Sequence, residues 1–77
     1  MSVTPVITAR ELIRILRKLG FTETRARGSH RRFEHADGRK TTVPVHKGRD
    51  LPRGLLHQVV TVDLDMNMVE FERLRRG

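Results

Sequence analysis

The sequence predicts an α+β fold, a compact three-stranded antiparallel sheet with helices on one face, in the order helix, three strands, helix and short C-terminal helix. Three observations carry this. Apolar residues recur with helical spacing from Leu12 to Leu19. The helical period vanishes between Phe21 and Val45, where Thr, Phe and Val stand between breaks at Arg27-Gly28 and Asp37-Gly38. It returns from Leu55 onward. With 77 residues and no internal repeat, the chain is expected to form one domain over 1–77. A chain of this size buries only about 60% of its unfolded surface, and without Cys it has no disulfide to brace it, so its core must be thin.

Residues 1–7 contain Pro5 and no period, and read as a lead-in. Thr8-Ala9-Arg10-Glu11 is a capping box with Thr8 at the N-cap and Glu11 at N3, and Ile7 and Leu12 occupy the two positions of a hydrophobic staple. A helix therefore starts at Thr8. Leu12, Ile13, Ile15, Leu16 and Leu19 form its buried stripe, and Gly20 stands where a left-handed residue ends a helix. Arg10, Arg14, Arg17 and Lys18 are left to solvent.

Three strands are expected near 21–27, 29–35 and 40–45. The second turn selects between two registers. A two-residue Asp37-Gly38 turn pairs Phe33 with Thr42 and puts Phe33 on the opposite face from Val43 and Val45. A three-residue loop, Ala36-Asp37-Gly38 with Gly38 left-handed, puts Phe33, Val43 and Val45 on one core face, and this register is preferred. After the polar segment from His46, Asp50 is expected to cap a second helix with Pro52 in its first turn and Leu55, Leu56, Val59 and Val60 on its apolar side. Asp63-Leu64-Asp65 breaks that helix, and a last one from about Met66 to Arg75 is expected to bury Val69, Phe71 and Leu74 in part.

Sixteen Lys and Arg against nine Asp and Glu give a net charge of +7, and thirteen of the sixteen are Arg. Arg binds phosphate bidentately, and a basic surface gains affinity for nucleic acid by releasing counterions. Simple solubility accounts for the charge equally well. The absence of Cys removes redox chemistry and thiolate metal sites. No apolar run is long enough to cross a bilayer and no basic region precedes an apolar stretch, so an unexported, cytoplasmic protein with no membrane partner is expected.

The preferred register sorts the four histidines. His30 lies opposite the Phe33 face with Arg32 and Glu34, and His46 shares that face if its strand continues so far. His35 falls on the Phe33 side and His57 on the second helix, and neither is a candidate for chemistry. Cleaving RNA by its own 2′-hydroxyl needs a base, an acid and positive charge at the phosphorane. Histidine serves as acid or base near neutral pH, and arginine supplies the charge. His30 with Arg27, Arg31 and Arg32 around it meets that requirement, with Lys47 as a further phosphate contact and His46 as a second acid or base. A surface histidine with no role is the plain alternative. His30 and His35 are an odd number apart and no HxH or HExxH spacing occurs, which argues against a metal site; no cofactor is expected. Ser29 would face away from His30, which argues against acyl chemistry. With no Trp or Tyr, base stacking is nearly unavailable, so an RNA ligand would be held by its backbone.

Gly28-Ser29-His30 followed by Phe33, then His35-Ala36-Asp37-Gly38-Arg39, then Thr42-Val43-Pro44 and His46, resemble the HicA (YcfA-like) family of toxins. The likeness extends to Arg10-Glu11-Leu12-Ile13, Leu19-Gly20-Phe21 and Leu51-Pro52-Arg53-Gly54. It implies a fold like that of double-stranded RNA-binding domains and a cofactor-independent endoribonuclease (mRNA interferase) that blocks translation and growth. It also implies a HicB-like antitoxin partner and a catalytic role for His30. His46 comes from the strand register, not from the family. The chain departs from the family pattern at Leu55-Leu56 and at Val62-Asp63-Leu64-Asp65, which bears on how the C-terminal helix packs. A noncatalytic RNA-binding module and a protein-interaction adaptor are the readings that compete with the toxin.

Overall fold

The structure, a computed structural model, describes residues 4–77. Helix α1 (Ala9–Lys18) is followed by strands β1 (Thr22–Arg27), β2 (His30–Glu34) and β3 (Lys40–Pro44). Helix α2 (Arg53–Gln58) then runs directly into a π-helical turn (Val59–Asp63), and α3 (Met68–Arg76) closes the chain. The strands form one antiparallel sheet in the order β1-β2-β3, and the helices pack on one of its faces. The expected α+β fold is thus the one observed. Among the described residues no helix is long and apolar enough to cross a membrane.

Helix α1 forms as its termini dictate. Thr8 is extended and its hydroxyl accepts the Glu11 N–H at 3.2 Å. At the other end Gly20 takes φ +97°, the Gly20 N–H donates to the Arg17 carbonyl and the Phe21 N–H to the Leu16 carbonyl. This is the Schellman arrangement, and it delivers Phe21 into the core beside the helix it terminates. Leu12, Ile15 and Leu16 are buried, with Ile13 and Leu19 packed at the core margin. Ile7 is also buried, so the lead-in contributes to the core at its last residue.

A side chain at Gly20 would be strained twice. A Cβ there would sit 3.2 Å from His35 Nε2, and the left-handed backbone itself costs an L-residue about 1–2 kcal/mol. Gly20→Ala is therefore expected to destabilise the protein by about 2 kcal/mol in urea unfolding, and a loss under about 0.5 kcal/mol would contradict the close packing of this corner.

The β2–β3 register follows from the core. Phe33 pairs with Thr41 and Arg31 with Val43, so the connection is the three-residue loop Ala36-Asp37-Gly38 with Gly38 at φ +99°. Phe33 and Val43 are fully buried, and Val45 packs against the same core. Thr41 is also buried on that face. Its hydroxyl donates to Asp63 Oδ2 at 2.9 Å, which supplies the hydrogen bond a buried polar group requires.

The loop is tied down by side chains. His35 Nε2 lies 2.9 Å from the Leu19 carbonyl and Nδ1 3.0 Å from the Asp37 N–H, so a neutral imidazole with its proton on Nε2 satisfies both nitrogens. Its ring meets Phe21 edge-on at 5.0 Å. Arg39 donates to Asp37 from Nε at 2.7 Å and to the Leu64 carbonyl from Nη1 at 2.7 Å, and its guanidinium lies over the Phe21 ring. The Arg39 backbone N–H, with its side chain in support, holds the Asp37 carboxyl below the usual aspartate range. Because the folded value is the lower one, this contribution to stability is present above the ordinary value of 3.8 and is lost as the pH falls below it. Asp37→Asn is accordingly expected to lower stability at pH 7 and to flatten its pH dependence below about pH 4, read by unfolding at a series of pH values. An unchanged pH dependence would contradict that role.

Three expectations are corrected. Asp50 does not cap α2: it bridges Thr8, and the Leu51 N–H donates to the Ile7 carbonyl at 2.8 Å. This pairing holds 50–51 extended, and the helix begins only after an extended Pro52, with no side-chain cap. The end of the second helix is not a simple break. Four residues beyond buried Val59, a regular helix would bring Asp63 over the core. Instead the Leu64 N–H reaches the Val59 carbonyl at 2.8 Å in an i→i+5 bond, so buried Leu64 takes that place and Asp63 turns to Thr41. Asp65 then takes the left-handed region at φ +52°. Finally, α3 starts later than expected, capped by Asn67, whose side chain accepts the Glu70 N–H. With that start Met68 and Phe71, three residues apart, face the core, while Val69 is turned outward and 54% exposed.

Candidate functional site

The sheet face away from the helices is assembled by two hairpins. Gly28-Ser29 joins β1 to β2 with Gly28 at φ +59° as the one left-handed residue, the pattern of a two-residue hairpin turn with glycine first. Arg27 and His30 close this turn as partners, and His30 pairs on its other side with Pro44. Residues facing each other across a ladder share a side. The row Arg27, His30, Pro44 is therefore followed by Arg25, Arg32, Thr42 and then by Thr22, Glu34, Lys40, all opposite the Phe33 face. Successive rows are about 7 Å apart, two residues along a strand.

A β-bulge decides which charges this face carries. The β1 register slips between Glu23 and Arg25, so Thr24 is an extra residue. Without the slip, alternation would put Glu23 on the same face as Arg25 and Arg27. With it, Glu23 pairs with Phe33 and turns to the helix side, where its Oε1 lies 3.8 Å from both Arg17 and Arg31. The open face is left with Arg25, Arg27, Arg32 and Lys40 against the single carboxylate of Glu34. Glu34 Oε2 accepts from the Thr24 hydroxyl at 3.1 Å and from Arg32 Nε at 3.3 Å. The Thr24 bond is the main reason this carboxyl is held below the usual glutamate range, with Arg32 and Lys40 acting in the same direction.

The sequence-nominated residues are not all brought together. His30 and Arg27 are adjacent and exposed, and Arg32 stands one row further on the same face. Arg31 pairs with Val43 and projects to the other side, toward Glu23. The Val45 N–H donates to the Ser29 carbonyl at 2.7 Å, which carries the ladder one residue past β3. His46 follows just beyond the ladder, two residues after Pro44, the cross-strand partner of His30. It opens the turn His46–Arg49, in which Lys47 is exposed and Gly48 has φ +77°. Arg25, Lys40, Thr42 and Glu34 belong to the face as well. Strand parity places Lys40 and Thr42 once the loop length is known, and Arg25 is an even step from Arg27.

Among the described residues no hydrogen bond engages the His30 imidazole, in contrast to His35, whose two nitrogens are both used. His30 thus offers an acceptor and a donor to a ligand, beside guanidinium groups that attract phosphate. Among the described residues no three His, Asp or Glu side chains are grouped as metal ligands. A family model described as HicA toxin of bacterial toxin-antitoxin matches residues 9–63 of the 77. That span runs from the start of α1 to the end of the π turn and contains every residue of this face. No curated protein matches the chain.

Proposed function

The chain belongs to the HicA toxin family, and from that premise we propose that this toxin is an endoribonuclease that cleaves mRNA at the open sheet face without a metal, and so blocks translation and growth. The observation that carries the reading is the exposed, unengaged imidazole of His30 flanked by Arg27 and, one row on, by Arg25 and Arg32. His30 takes the proton of a 2′-hydroxyl, or delivers one to the leaving 5′-oxygen. The arginines hold the phosphate between these atoms and stabilise the charge of the phosphorane. A chain with no Trp or Tyr grips the RNA backbone rather than its bases.

Membership in the family implies an antitoxin partner. A HicB-like protein that covers the basic face would exclude RNA and silence the toxin. The test of the whole reading is His30→Ala, assayed for growth arrest and for cleavage of a long unstructured RNA in EDTA. Full activity in that variant overturns it. RNA binding without any cleavage by the unaltered chain would instead identify a noncatalytic module.

His46 is the partner acid or base in this scheme because it follows Pro44, the cross-strand neighbour of His30, by two residues. His46→Ala is expected to slow single-turnover cleavage at least tenfold, a modest threshold for lost acid catalysis of about 10² or more. Rates near those of the unaltered chain would remove His46 from the mechanism.

A further inference from the structure

Glu34 is an anomaly on a face otherwise built to attract phosphate. A carboxylate there repels RNA, and as a half-exposed ion pair with Arg32 it adds little to folding stability. Its surroundings are nevertheless specific. The β-bulge presents Thr24 toward Glu34, and the Thr24 hydroxyl donates to the oxygen, Oε2, that also accepts Arg32 Nε. Among the described residues Arg32 is gripped by Nε alone, so both of its terminal amino groups remain available. A guanidinium fixed at Nε keeps a planar fork of donors, the geometry that binds a phosphate bidentately. The fork is one row from His30 and directly across the strand pair from Arg25.

We propose that Glu34 is a positioning residue: clamped by Thr24, it aims the guanidinium of Arg32 so that Arg32 and Arg25 form the phosphate subsite next to His30. The proposal rests on the ribonuclease reading and adds to it the group that orients the phosphate. Thr24 acts through Glu34, and Glu34 acts through Arg32. Glu34 also remains an anion while it does so, because the Thr24 hydrogen bond favours the charged carboxylate.

The test is a comparison of Glu34→Ala, Glu34→Gln and Arg32→Ala with the unaltered chain, on one RNA, measuring kcat at saturating RNA, Kd for RNA with cleavage blocked by a 2′-deoxy substitution, and Tm. If Glu34 positions Arg32, Glu34→Ala lowers kcat by about 10- to 100-fold, the scale of a misplacement near 1 Å, with Kd no weaker and Tm little changed. Glu34→Gln, which keeps a side-chain oxygen for Arg32 Nε, recovers most of kcat. Adding Glu34→Ala to Arg32→Ala then lowers kcat no further. A Glu34→Ala variant with unchanged kcat and tighter Kd shows a carboxylate that merely repels RNA, and overturns the proposal. So does a fall in kcat and affinity that tracks a fall in Tm. Failure of the ribonuclease reading looks different: the unaltered chain does not cleave, or His30→Ala cleaves as well as it does.

Discussion

Replacing His30 by Ala is expected to lower RNA cleavage by about 10²–10⁴-fold, the usual contribution of a positioned acid or base, and to abolish growth arrest, while leaving the fold intact. His30 is exposed at the start of β2 and no hydrogen bond engages its ring among the described residues, so its removal should change stability by no more than about 0.5 kcal/mol. His35→Ala makes the control. It deletes the contacts to the Leu19 carbonyl and the Asp37 N–H, and is expected to lower stability by about 1–3 kcal/mol. Its cleavage rate per folded molecule should not change. A pair of variants that split in this way, one losing chemistry and the other stability, separates the two histidines as no single substitution can. If His30→Ala lost stability and activity together, its role would be structural.

Replacing Phe71 by Ala is expected to destabilise the protein by about 3–5 kcal/mol, the cost of truncating a fully buried phenylalanine. A chain of this length has only about 4–12 kcal/mol of stability. The variant should therefore melt about 12 °C lower or more. The size of this effect matters because α3 lies beyond residues 9–63, the part that matches the HicA family model. Phe71 and Met68 join the same core cluster as Leu16 and Phe33, so α3 is a component of the domain rather than an appendage. Val69→Ala, on the outer side of the same helix, should change stability by no more than about 0.5 kcal/mol. A loss below about 1 kcal/mol for Phe71→Ala would mean that α3 does not share the core.

Much of the frame is written locally, in residues a few positions apart. Thr8 and Glu11 start α1, Gly20 ends it, and both act within a few residues of themselves. The loop Ala36-Asp37-Gly38 was legible for a different reason: with so few large apolar residues, only one register buries Phe33 with Val43. That register in turn puts His30 on the open face. Asp50 misled because a capping residue is recognised by type, while its backbone was claimed by Thr8 and Ile7, more than forty residues away in the chain. Val69 misled because helical phase depends on the starting residue, and Asn67 starts α3.

Capping, turn chemistry and apolar parity, all readable from the residues themselves, were enough for the order of elements, the β2–β3 register and the face on which His30 stands. The charge of that face depends instead on how the strands fit together. The bulge at Thr24 sends Glu23 to the helix side, where it meets Arg17 and Arg31, and leaves Arg25, Arg27 and Arg32 on the side of His30. It also raises Thr24 toward Glu34 and thereby ties down Arg32. A single extra residue in a ladder exchanges two faces of a strand. No periodicity announces it, because it depends on how β1 fits against β2.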